Sequence, residues 1–148
     1  MARTLALDIG DRRIGVAVSD PTKLIARPLC VIDRAREDAL ARIVALVAEQ
    51  GADEVVVGLP LHSDGRLSSQ AQHVQSFADG LRAQLNVPLH FVDERYTTQD
   101  AQAIIAINRG RRRTEPHDDA VAAAVILQRY LDAQRPSQDA DTAFPLLW

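Results

Sequence analysis

Three short acidic sites interrupt stretches of this chain that are otherwise apolar or helix-forming. Asp8 stands inside Leu5-Ala6-Leu7-Asp8-Ile9, where an aspartate lowers strand propensity and is costly to bury as a charge unless something compensates it. Asp93-Glu94 closes the apolar run 88–92, and Asp118-Asp119 opens a long alanine-rich stretch. Each has a local explanation: Asp8 can accept bonds from the Gly10 to Arg13 turn, Asp93 or Glu94 can pair with Arg95, and acids in a first helical turn are favoured by the macrodipole. The combination says more than its parts. Carboxylates from three separated elements form the ligand set of a shared divalent cation, and oxygen-only ligation without a His or Cys cluster points to Mg²⁺ or Mn²⁺ rather than Zn²⁺. Sites of this kind hold the attacking water and the leaving oxygen of an in-line phosphoryl displacement.

The substrate side of such chemistry needs cations that meet phosphate. Sixteen of the seventeen basic residues are arginine, Lys23 being the exception, and arginine's planar fork matches phosphate at two points. Genomic base composition is the plainer source of the bias, so placement carries the information. Arg109, Arg111, Arg112 and Arg113 fall within five residues shortly before Asp118-Asp119 and could grip phosphates flanking a scissile bond, the alternative being a solvated charge run. Arg12 and Arg13, in the turn beyond Asp8, are further candidate phosphate contacts. His117 is a candidate proton shuttle and Asp118 a candidate auxiliary acid. His62, His73 and His90 have no partner at metal-ligand spacing and read as structural or exposed.

Positioning these groups requires a sheet. Residues 5–10 and 14–19 read as strands joined by a turn short enough for a hairpin, and 28–32 as a third extended run. Leu40, Ile43, Val44 and Val47 recur at helical spacing and Gly51 ends that helix. Glu54 to Leu59 is a β-branched run suited to a central parallel strand. A helix bearing Val74, Phe77, Ala78, Leu81 and Leu85 follows, with Ser63, Ser68 or Ser69 available to cap it, and then a strand over 88–92. Helices over about 99–108 and from His117 to about Ala133 complete the order β-β-β-α-β-α-β-α-α, an α/β arrangement with a mixed sheet and helices on its faces. The domain spans 1–133, and 134–148 forms a polar, mobile tail ending in Phe144-Pro145-Leu146-Leu147-Trp148.

Length and composition narrow the classes. At 148 residues the chain is the size of one domain, with 47% hydrophobic and 25% charged residues and a formal net charge of -3. A single cysteine, Cys30, excludes an intramolecular disulfide or a Cys-rich zinc site and suits a reducing cytoplasm. No apolar run reaches the length of a membrane span, and the N-terminus reads straight into a strand without a signal peptide. Aromatics are 4%, which disfavours an aromatic platform for single strands and directs recognition to backbone phosphates and shape.

The residues also carry a resemblance. Leu7-Asp8-Ile9-Gly10 with Arg13-Ile14-Gly15-Val16-Ala17-Val18-Ser19-Asp20, Val57-Gly58-Leu59-Pro60-Leu61 with Asp64-Gly65, Val92-Asp93-Glu94-Arg95-Tyr96-Thr97-Thr98, and Asp119 to Leu127 stand in the order and spacing of the YqgF family, also called RuvX. The chain resembles that family from about residue 5 to 131. Ile9 is a minor departure, as the family usually has a small or aromatic residue there. The resemblance implies a ribonuclease H-like fold with a mixed five-stranded sheet, its first three strands antiparallel, and helices on both faces. It also implies that Asp8, Glu94 and Asp119 are the catalytic, metal-binding acids, with Asp119 selected over Asp118 by the alignment through the apolar helix. They would position one or two Mg²⁺ or Mn²⁺ ions, so that water attacks phosphorus and the 3′ oxygen leaves.

The implied activity is a metal-dependent nuclease that trims the 5′ end of pre-16S rRNA, with a Holliday junction resolvase, expected to act as a symmetric dimer, as the alternative. The implied partner is nucleic acid, and the chain itself is a monomer or homodimer. An actin-like ATPase shares the Asp8-x-Gly10 pattern but needs two such domains, and a non-catalytic binding protein would not require all three acids. The apolar end 144–148 is a candidate contact for a protein partner or a second copy, with packing on its own domain as the alternative.

Overall fold

A computed structural model of the chain describes residues 2–60, 66–93 and 116–134, the side chains of 116–118 excepted. Five strands form one sheet in the order β3-β2-β1-β4-β5. They are β1 (Arg3–Ile9), β2 (Arg13–Ser19), β3 (Ala26–Asp33), β4 (Ala52–Leu59) and β5 (Leu89–Asp93). The β1–β2 and β2–β3 pairs are antiparallel, and β1–β4 and β4–β5 are parallel. This is the mixed sheet expected from the sequence, with the first three strands antiparallel. The third strand begins two residues before the expected start. Pro28 is tolerated because β3 is an edge strand, and the register shift between Val16 and Ala17 accommodates Leu29 as an extra residue.

Strand alternation divides the core. Leu5, Leu7 and Ile9 of β1, Ile14, Val16 and Val18 of β2, and Val55, Val57 and Leu59 of β4 face one side, where they bury α1 (Ala39–Gln50) and α2 (Ser69–Arg82). Gly51 ends α1 with φ 65° and ψ 39°, a left-handed conformation that glycine adopts without steric cost, while its N–H bonds to Ala48 O. Ser68 caps α2: its Oγ accepts from Ala71 N at 2.9 Å and donates to Pro60 O at 2.8 Å, which ties the helix start to the end of β4.

The opposite face is built from smaller residues. Ala6, Ala17 and Val56 of the sheet meet Ala123, Leu127 and Leu131 of α3 (Pro116–Gln134). Alanine on alanine lets the helix backbone lie close to the sheet. Gln128 fastens the helix to the β2–β3 connection, its Oε1 accepting from Ala26 N at 2.9 Å and its Nε2 donating to Leu24 O at 3.0 Å. The expected helix over about 99–108 and the tail 135–148 lie outside the described residues.

Candidate active site

Asp8 belongs to the face of β1 that carries Ala6, so its side chain projects toward α3. It is 3% exposed and Asp119 is 0% exposed. Asp119 stands one turn ahead of Ala123 on the stripe continued by Leu127 and Leu131, the stripe that packs on the sheet.

What brings the two acids together is Gly15. It is the antiparallel register partner of Asp8, so the two Cα atoms are about 4.5–5.5 Å apart and their substituents leave the sheet on the same side. A Cβ built on Gly15 would lie 1.9 Å from the Asp119 carbonyl oxygen and 2.3 Å from its carbonyl carbon. The first turns of α3 therefore rest directly on a bare stretch of β2, next to Asp8. Only glycine permits that approach.

Arg13, two residues before Gly15 on the same face of β2, places its Nε 3.3 Å from Asp119 Oδ2, with its side chain 23% exposed. Arg13, a candidate phosphate contact in the sequence, is here the ion-pair partner of Asp119. Arg12 is different. It is 69% exposed, with its Nε 3.6 Å from Asp33 Oδ1, and remains accessible to an incoming anion. The hairpin between β1 and β2 is closed by Gly10 N donating to Arg13 O at 2.9 Å.

Of the expected acids, the structure brings Asp8 and Asp119 together. Glu94 lies outside the described residues, as do Arg109, Arg111, Arg112 and Arg113, and the side chains of His117 and Asp118 are not described. Among the described residues no group of three His, Cys, Asp or Glu side chains converges. The donor set that is present fits a hard divalent cation: two buried carboxylates from separate elements carry two negative charges, and Arg13 supplies one positive charge.

A second polar cluster, missed in the sequence, occupies the far end of the same face. Glu54 accepts from Thr4 Oγ1 at 2.8 Å, Tyr130 OH at 2.8 Å and Lys23 Nζ at 3.1 Å. Burial pushes the Glu54 carboxyl up, but the three hydrogen bonds and the Lys23 charge outweigh it and hold the group below the usual carboxylate range. Burial and the Glu54 charge push the Tyr130 hydroxyl up to about 12. This cluster ties β1, β4, α3 and the β2–β3 turn together. Its donors converge on the Glu54 carboxylate, Lys23 also donating to Asp53, and it lies toward the N-terminal ends of β1 and β4, away from Asp8.

A profile described as RuvX, Holliday junction resolvase, matches residues 2–133. The chain belongs to the RuvX family. A family relative from Roseiflexus sp. strain RS-1, named a candidate pre-16S rRNA nuclease, is 46% identical over 137 residues, covering 90% of this chain and 96% of the relative. One from Chloroflexus aurantiacus (strain ATCC 29366), named in the same way, is 45% identical over 144 residues, covering 95% and 94%. Among solved structures, T. thermophilus RuvC in complex with a Holliday junction substrate matches this RuvX-family fold with a TM-score of 0.56 at 17% identity, covering 90% of this chain and 96% of that one. The structural likeness establishes the ribonuclease H-like fold.

Proposed function

We propose that the chain is a divalent-metal-dependent nuclease that hydrolyses phosphodiester bonds at the C-terminal end of the central strand β1, where Asp8 lies close to the start of α3 and Asp119. The observation that carries the reading is the burial of two carboxylates from separate elements at one place in the fold, Asp8 being the register partner of Gly15 and the Asp119 backbone resting on that glycine, which is a donor set suited to a hard cation. Asp8 and Asp119 would hold Mg²⁺ or Mn²⁺, with Glu94, next after Asp93 at the end of β5, as the third acid. When bound, the metal lowers the pKa of water and stabilises charge on the departing oxygen. Arg13 orients the Asp119 carboxylate through their ion pair. Arg12 meets backbone phosphate, and Arg109, Arg111, Arg112 and Arg113 grip the phosphates on either side of the cut. His117 and Asp118 serve as auxiliary groups.

The substrate assigned to the chain is the 5′ precursor segment of 16S rRNA, supported by the names of relatives at 45–46% identity over nearly the whole chain. The description of the family profile supports a second reading, resolution of Holliday junctions. The proposed setting is the cytoplasm, and among the described residues no helix is long and apolar enough to cross a membrane. The deciding experiment presents purified chain with a pre-16S rRNA fragment and a four-way DNA junction, each with Mg²⁺, Mn²⁺ or chelator, while mass in solution is measured. Metal-dependent cleavage of the RNA supports the first substrate. Paired symmetric nicks in the junction by a dimer support the second, and cleavage that persists in chelator overturns the metal reading.

A further inference from the structure

On the opposite side of the catalytic edge from Asp119 lies a cleft of about 450 Å³, within the range of sites that hold small organic groups. Its apolar wall is Ile9, Val74 and Phe77, and its polar rim includes Gln70, His73 and Arg34. The most unusual feature is Arg34. It is exposed, yet it is held in place three times: its backbone N–H donates to Arg12 O at 2.8 Å, its Nη1 donates to Gly10 O at 2.8 Å, and its guanidinium lies over the Phe77 ring at 4.8 Å from the centroid. An exposed arginine on a loop ordinarily keeps its rotamer freedom. Here the plane of the guanidinium is set by the hairpin carbonyl and the ring beneath it, and the side chain lines the cleft. A flat cation with one face on an aromatic ring and the other available is a stacking surface for a nucleobase.

The position matters as much as the chemistry. Ile9 and Gly10 line the cleft and directly follow Asp8, so two successive residues of β1 face the carboxylate site on one side of the sheet and the cleft on the other. Arg12 lies on the hairpin between them, 69% exposed. A strand crossing that hairpin would meet the acids with one phosphate, Arg12 with a neighbouring phosphate, and the cleft with a base.

We propose that this cleft is a base-binding subsite that receives one unpaired nucleobase of the strand, next to the bond cleaved, and stacks it on Arg34. The proposal rests on the reading of the chain as a nuclease for its substrate, though the cleft can be tested without cleavage. Stacking on a guanidinium is tolerant of base identity. It therefore supplies contact with a base to a protein poor in aromatic residues, and it requires an unpaired nucleotide, which selects loops, ends and branch points over continuous duplex.

The test uses the full chain labelled with ¹⁵N and titrated separately with UMP, AMP and ribose 5-phosphate. Both nucleotides are expected to shift the Gly10 amide and the Arg34 Nε–H saturably, and ribose 5-phosphate to leave them in place. Arg34→Ala should abolish the response to the nucleotides and Arg34→Lys, which keeps the charge without the plane, should weaken it about fivefold or more. Equal shifts by ribose 5-phosphate, or wild-type binding by Arg34→Lys, would overturn base stacking in favour of simple phosphate attraction. A second arm measures cleavage of RNA carrying a single abasic position at each site flanking the cut. One position should raise KM about fivefold or more in the wild type and have no effect in Arg34→Ala. Normal cleavage with no sensitive position refutes the subsite and leaves the nuclease standing. Nucleotide binding at the cleft in a chain that cuts no nucleic acid refutes the nuclease and leaves the subsite.

Discussion

Replacing Gly15 with alanine adds one methyl group to a central strand, and the structure states what it must meet. The new Cβ would stand 1.9 Å from the Asp119 carbonyl oxygen, 2.3 Å from its carbon and 3.0 Å from Ala120 N. All three are backbone atoms, so no rotamer change relieves the contact. To restore even a tight 3.0 Å separation from the oxygen, α3 must withdraw from β2 by roughly 1 Å. Overpacking of this kind costs about 1–3 kcal/mol, and Ala123, Leu127 and Leu131 lose contact with the sheet as the helix lifts. The larger effect falls on the site, because Asp119 moves away from Asp8 and from Arg13. A displacement of that size in a reacting geometry costs about a hundredfold in rate. The expected result is a chain that remains folded, with a urea midpoint lowered in line with about 1–3 kcal/mol and nuclease turnover reduced about a hundredfold. Alanine at Gly80, where an added Cβ meets nothing within 4 Å, provides the control and should be harmless. Wild-type turnover by Gly15→Ala would show that the contact of α3 with β2 does not set the relation of the two acids, and the argument for the site would fail with it.

Other perturbations separate the parts of the site from the scaffold. Asp8→Asn should reduce cleavage roughly a hundredfold or more, since even outer-sphere partners of metal ligands are worth 10–100-fold. Thermal unfolding gives an independent readout: metal at about ten times its Kd should raise the wild-type Tm by about 3–6 °C and leave Asp8→Asn unmoved. Tyr130→Phe removes one of the donors to Glu54. Because the Glu54 carboxyl is held below its usual range, its stabilisation is present above the unfolded pKa and lost as pH falls through the folded one. The variant should therefore start from a lower stability at neutral pH and lose less of it on acid titration than the wild type, the loss in both setting in near the unfolded carboxyl pKa. At the alkaline end Tyr130 itself, raised to about 12, favours the folded state until pH rises through that value, and absorbance titration of the variant should lack that late phenol step. Ser68→Ala should cost about 1 kcal/mol in urea unfolding by uncapping α2, with Ser68→Asp recovering most of it.

The strands and helices were legible because their patterns are local. The apolar runs over 5–10 and 14–19, the stripe ending at Gly51 and the β-branched run of β4 each depend on neighbours in sequence. Asp8 stood out because it violates the apolar pattern around it, whereas Asp119, an ordinary acid in a first helical turn, was singled out through the family resemblance. Gly15 was less so. It carried a family resemblance but no stated purpose, and a glycine amid Ile14, Val16 and Val18 was the available signal of a close approach by another backbone. The pairing of Arg13 with Asp119 was not visible in the sequence, because the two lie more than a hundred residues apart. Separation in sequence likewise hid Tyr130 from Glu54, 76 residues apart, and Arg34 from Phe77, with no spacing that announced either contact.

Residue chemistry alone determined that this chain carries acids suited to a hard cation, arginines suited to phosphate, and the elements of one α/β domain. It determined this because composition and periodicity are properties of short windows. The tertiary structure decided which face of the sheet Asp8 occupies, that Asp119 of α3 is buried against that face, and that Arg13 pairs with Asp119 while Arg12 stays open to solvent. Those are matters of register and helix approach, set by the pairing of Asp8 with Gly15 and by the missing side chain that lets α3 settle upon it.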